Sequence, residues 1–307
     1  MTRCCGLCGK SASKDSDPFG SAASDGSSPM PANSADHPIL DERRIRLTKS
    51  LSDLALDSNL LTQQQKYKRS QSIMEWDRPH QTAITFDWDD TLFPTTWLRS
   101  QYPKLKWHEP MASNSEFRHV FKECETKVEA LVRHAADLGK VHIVTLASHP
   151  WVDISIRNFM PGLEHVFREL NVSVAYARDE LAADETEVDI GKLSTDLKRR
   201  AMHKLMKKFY SQYEKQSWKN VLSIGDSFFE VQALRDLVSD HRKAESEKRC
   251  RAKTVKLAEA PDMDQVQAQL SVLLSWMRPL VSLDDDADID LDGPIDGVMN
   301  WQKKLVP

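Results

Sequence analysis

The sequence predicts an α/β domain over residues 81–281, a doubly wound parallel sheet with helices on both faces. Three observations predict it. Short runs such as Ala83-Ile84-Thr85-Phe86 and Val141 to Leu146 are apolar on both sides, as strands buried on two faces must be. The segments between them carry apolar residues at helical spacing, so strand and helix alternate. Reactive polar residues stand where the runs end, and open parallel sheets bind ligands beyond the carboxyl ends of their strands.

Taken in order, the first strand covers 83–86. A helix follows over Glu116 to Leu138, with Phe117, Val120, Phe121, Cys124, Val128, Leu131, Val132 and Ala135 on one face, and Gly139 as its stop. Strands are expected at 141–146, 172–176, 220–224 and 253–257. Helices are expected near 152–170, 195–213, from Phe229 onward and 263–277. Residues 1–80 form a separate segment. Its first forty residues are rich in Ser, Asp, Pro, Gly and Ala and cannot bury enough apolar surface to offset chain entropy, so disorder is expected there. Leu47, Leu51, Leu54 and Leu60 suggest a short amphipathic docking or linker helix before the basic stretch Lys66 to Arg69. Residues 282–307 read as an acidic, solvated tail.

Bulk properties narrow the function classes. A net charge of -4 gives no general basicity, so a nucleic-acid partner is not expected. The greasiest stretch, Leu270 to Val281, is too short to span a bilayer and contains Arg278 and Pro279. With no secretory core at the N-terminus and five scattered cysteines, the expectation is a cytoplasmic protein without a disulfide framework.

The chemistry is concentrated at the strand ends. The first strand runs into Phe86-Asp87-Trp88-Asp89-Asp90-Thr91-Leu92, the second ends at Thr145, Lys198 lies just before or within the first turn of the helix leading to the fourth strand, and the fourth strand ends in Gly225-Asp226-Ser227-Phe228-Phe229-Glu230. In this order the four motifs resemble those of the haloacid dehalogenase-like superfamily, in its Asp-x-Asp-x-Thr phosphatase form. The wording Phe-Asp-Trp-Asp-Asp-Thr-Leu looks most like a poorly characterised eukaryotic branch of it. The resemblance spans about residues 81–281.

It implies a Rossmann-like core and a magnesium-dependent phosphomonoesterase. Asp87 would be the nucleophile, giving an aspartyl-phosphate, and Asp89 the general acid and base. Mg2+, a hard ion that takes oxygen ligands, would be held by Asp87, the main-chain carbonyl of Asp89 and Asp226, with Glu230 nearby. Thr145 and Lys198 would hold phosphoryl oxygens. Two departures stand out. Leu146 follows Thr145 where many relatives carry Asn, with Ser148 a less suitable stand-in. Met202 stands where the motif-three pattern has an aromatic residue; Lys192, Lys204, Lys207 and Lys208 are alternatives to Lys198. Asp90 reads as structural, Trp88 and Trp97 as packing. The rival reading is a pseudoenzyme that binds phosphate or a partner in the same pocket.

Three peripheral features have plainer readings. Cys4, Cys5 and Cys8 allow reversible acylation, but membrane anchoring needs a second signal, so free thiols are expected. Asp288 to Gly293 matches half of a calcium loop, yet position twelve would be Met299, not Glu. Ser70 and Ser72, after Lys68-Arg69, suit a basophilic kinase. Neither stretch between the early motifs can hold a cap domain with its own core, so an open site and a bulky phosphorylated substrate, such as a phosphoprotein, are expected.

Overall fold

A computed structural model describes residues 75–109, 116–182, 189–212, 217–244 and 249–306. The N-terminal tail, its cysteines, the leucine-spaced helix and the kinase motif lie outside the described residues. Chain contacts separate residues 1–63 from a second unit, 64–307, which holds all the structure below.

Six strands form one parallel sheet: β1 (Thr82–Phe86), β2 (Lys140–Thr145), β3 (Ser173–Tyr176), β4 (Asn220–Gly225), β5 (Arg251–Lys256) and β6 (Ala287–Asp290), in the order β3-β2-β1-β4-β5-β6. The chain builds outward from β1 to β3, then returns to lay β4 on the other side of β1. This reversal opens a crevice between the carboxyl ends of β1 and β4, the switch point of a doubly wound, Rossmann-like sheet.

Helices cover both faces. The helices are α1 (Thr95–Gln101), α2 (Glu116–Val120), α3 (Lys122–Leu138), α4 (Trp151–Phe159), α5 (Gly162–Glu169), α6 (Ile190–Tyr210), α7 (Phe228–Ala244), α8 (Met263–Ser282) and α9 (Ile295–Leu305). Side chains alternate across a strand. Ile84 and Phe86 therefore join Ile143, Ile224 and Val255 in a core under α3, α4, α5 and α8, while Ala83 joins Val144, Val221 and Ala252 under α6 and α7. Local signals set the helix starts. Asp189 accepts from the N–H groups of Gly191 and Lys192, and Asp262 forms a reciprocal cap with Gln265.

Three expectations are corrected. The helix expected over 152–170 is two, because Pro161 cannot continue α4 and instead sits just before α5. Lys198 is not in the first turn of its helix but well inside α6, which begins earlier, at Ile190. Residues 282–307 are not a solvated tail. Ala287 and Ile289 are buried while Asp288 and Asp290 are exposed, so the acidic run is an edge strand with one wet face. Asp288 there pairs with Arg235 and accepts from Thr254, and Asp292 pairs with Lys256. Every strand among the described residues belongs to the one sheet, and the described residues of the insertions after β1 and β2 form helices and connections.

Candidate functional site

The crevice is built by the first residues beyond β1 and β4. Asp87 N–H donates to the Ile224 carbonyl at 2.8 Å, which extends the β1–β4 pairing by one residue and sets Asp87 against β4. The chain then turns sharply. The Trp88 carbonyl accepts from Leu92 and Phe93 at 3.0 and 2.9 Å, and Asp90 takes a left-handed φ of 55°. Asp90 accepts from the N–H and hydroxyl of Thr96, locking this turn to the start of α1. Burial pushes its carboxyl up, and the Thr96 hydrogen bonds oppose that. Trp88 is fully buried, with its indole N–H on Ser155 Oγ at 2.9 Å. Both residues thus have the supporting roles their sequence suggested, and Trp97 packs against Tyr102 and Phe121.

Asp89 faces the other way, toward β2. Its Oδ1 accepts from Trp151 Nε1 at 2.8 Å and from Thr95 Oγ1; its Oδ2 accepts from Thr145 Oγ1 at 3.3 Å. Thr145, the last residue of β2, also accepts from the Ala147 N–H at 2.9 Å. Trp151 was invisible to motif reasoning. Its place six residues past the end of β2, at the head of α4, was the available signal.

Lys198 is 1% exposed, whereas Lys192, Lys204, Lys207 and Lys208 all lie exposed on α6. Its Nζ stands 3.0 Å from Asp87 Oδ2 and pairs with Glu230 Oε1. Glu230 is set by the cap of α7: the Ser227 N–H donates to Glu230 Oε2 at 3.0 Å, and Ser227 Oγ accepts from the Phe229 N–H. Gly225 leaves the room for this. A Cβ at that position would stand 2.4 Å from Glu230 Cγ.

Asp87, Asp226 and Glu230 each present a carboxylate oxygen, all within 4.8 Å of one another. Three carboxylates against one ammonium leave surplus negative charge, and the titration of the site reflects it. Burial, reinforced by Glu230 and Asp89 and opposed by Lys198, pushes Asp87 up to about 7. Burial, then Asp87 and Glu230, raise Asp226 well above the usual carboxylate range. For Lys198 burial disfavours the charge, but Asp87 and Glu230 outweigh it and hold the amine protonated beyond the ordinary lysine range.

Two details bear on a cation. Asp87 Oδ1 is buried without a hydrogen-bond donor, an expensive state for a carboxylate oxygen unless a cation meets it. Glu230 has a donor on each oxygen, so its first role is to hold Lys198. An all-oxygen, net-negative donor set of this kind suits a hard divalent ion. The structure thus brings Asp87, Lys198, Asp226 and Glu230 together, and sets Asp89 and Thr145 beside them through their mutual hydrogen bond.

Compared with models of protein families, with curated proteins and with solved structures, the chain matches none. No helix among the described residues is long and apolar enough to cross a membrane.

Proposed function

We propose that this chain is a magnesium-dependent phosphomonoester hydrolase of the haloacid dehalogenase type, working through an aspartyl-phosphate on Asp87. One observation carries the reading: Asp87 sits at the switch point with one oxygen on Lys198 and the other without a donor, beside Asp226. A nucleophilic carboxylate needs this arrangement, charged yet free of a full hydrogen-bond shell.

Asp87, Asp226 and the main-chain carbonyl of Asp89 would hold Mg2+, which neutralises charge between the carboxylates and an anionic substrate. In the first half-reaction an Asp87 oxygen bonds to phosphorus, the ester P–O bond breaks, and Asp89 gives its proton to the departing oxygen. In the second, Asp89 takes a proton from water, the water oxygen bonds to phosphorus, and the Asp87–phosphorus bond breaks to restore the carboxylate. Lys198 holds Asp87 in line and offsets its charge. Thr145 orients Asp89 and presents a hydroxyl to the phosphoryl group.

A bulky phosphoester, such as a phosphorylated protein side chain, is the favoured substrate. The support is the lack of any second sheet or cap among the described residues and the partial exposure of Asp89 and Asp226. Phe228, beside Asp226, is 61% exposed and offers an apolar rim to a large leaving group. The test is release of phosphate from 4-nitrophenyl phosphate and from phosphopeptides, with and without magnesium. Asp87→Asn should lower kcat by about a thousandfold or more with folding intact. Equal turnover by wild type and variant, or a folded wild type that binds phosphate without hydrolysing esters, refutes the proposal.

A further inference from the structure

The donors around Asp89 are not equivalent. Oδ1 receives two donors, the Thr95 hydroxyl and the Trp151 indole N–H, and the indole can only donate. Oδ2 faces Thr145 Oγ1, a hydroxyl that can turn and accept. In a protonated carboxyl the carbonyl oxygen is the better acceptor, so the oxygen that must receive the indole N–H at 2.8 Å, with Thr95 beside it, stays the carbonyl, and the proton falls to Oδ2, whose one hydroxyl partner can accept it.

Trp151 is itself held in place. It is 9% exposed, lies edge-on to Phe93 at 5.9 Å and packs on Trp107 at 5.5 Å. The segment carrying Trp107 is tied to α4 by Asn158, whose Nδ2 donates to the carbonyls of Trp107 and Glu109 at 3.0 and 3.1 Å. The indole therefore has little freedom to follow Asp89 if the carboxyl group rotates.

We infer that Trp151 is a positioning residue that keeps Asp89 Oδ1 an acceptor and so assigns the transferable proton to Oδ2, the oxygen shared with Thr145. The inference rests on the phosphatase reading. In the first half-reaction the ester P–O bond breaks as the Asp87–phosphorus bond forms, and the Oδ2 proton passes to the departing oxygen. A rotated Asp89 would offer that proton from the wrong oxygen.

The dependence on leaving group separates this role from packing. The nitrophenolate of 4-nitrophenyl phosphate departs without a proton; the benzyl alkoxide of benzyl phosphate, similar in bulk, requires one. Because kcat/KM covers only the steps up to departure, hydrolysis of the aspartyl-phosphate does not enter. Trp151→Phe keeps the aromatic packing and removes the N–H. For benzyl phosphate its kcat/KM should fall about tenfold or more, part of the hundredfold or larger contribution typical of general acids. For 4-nitrophenyl phosphate it should fall less than about threefold. Near-UV circular dichroism reports whether the aromatic cluster is intact. With an active wild type, equal loss on both esters, or no loss on either, overturns the role of Trp151 alone. A wild type without magnesium-dependent turnover of either ester overturns the phosphatase reading, and this inference with it.

Discussion

Lys198 and Lys253 are each 1% exposed, and they stand at opposite ends of the same sheet. At the carboxyl end, Lys198 is met by Asp87 and Glu230 and stays charged. Lys253, near the amino end, is met by neutral acceptors: Asn220 Oδ1 at 2.7 Å, the Val281 carbonyl at 3.0 Å, and the face of Trp76 at 4.8 Å. Burial, with the charge of Arg251, pulls Lys253 down to about 7, and Asp284, Asp77 and Asp286 oppose this only in part. The partner, not the depth, decides what a buried amine becomes. Lys198 is held by charged partners in direct contact, Lys253 by dipoles, although charges stand near both.

The largest expected difference comes from deleting each amine. Lys198→Met leaves two carboxylates buried around an empty position and should cost about 3–5 kcal/mol of stability, with turnover abolished. Lys253→Met removes a poorly solvated amine and leaves two neutral acceptors unmet, a cost of about 1–2 kcal/mol, with turnover kept. Urea unfolding and phosphate release on both variants measure this. Similar losses from the two would break the contrast.

Magnesium should sharpen it. The folded pKa of Asp87, about 7, lies above the ordinary 3.8. Its contribution to stability is therefore full below pH 3.8 and lost as the pH rises through 7. A cation at Asp87 and Asp226 competes with protons, so magnesium should raise Tm by roughly 3 °C or more near pH 8 and by much less near pH 5. Asp226→Asn should remove most of that shift. A shift that does not depend on pH would show that the ion binds elsewhere.

The smallest effect has the opposite sign. The folded pKa of Lys253, about 7, lies below the ordinary 10.5, so its contribution is present above 10.5 and lost as the pH falls through 7. Between those values wild type should gain stability relative to Lys253→Met as the pH rises. Parallel stability curves for the two proteins would mean that the amine stays charged throughout.

Much of this arrangement was legible in the sequence, and the reasons differ by element. β1, β2 and β4 could be read because buried parallel strands are apolar on both faces and the acids at their ends are out of place in a core. Lys198 could be chosen from five lysines only by resemblance to a motif; its burial depends on which face of α6 meets β1. The partnership of Lys198 with Glu230, 32 residues on, needs the fold. β6 was misread because its aspartates dominate the composition, while the alternation that buries Ala287 and Ile289 is only four residues long. The position of Trp151 just beyond β2 was visible, but its contact with Asp89, 62 residues away in the chain, is made only by the fold.

The switch point also divides the site by sequence. Everything up to β3 supplies Asp87, Asp89, Thr145 and Trp151; everything from α6 onward supplies Lys198, Asp226 and Glu230. On a ribosome, the first half would emerge with its acids and without Lys198 to meet them, so the centre could not assemble until the chain had passed β4 into α7. A chain severed between β3 and α6 would likewise carry half a site on each fragment. Such a pair is a natural starting point for a reporter whose signal depends on two fragments finding each other.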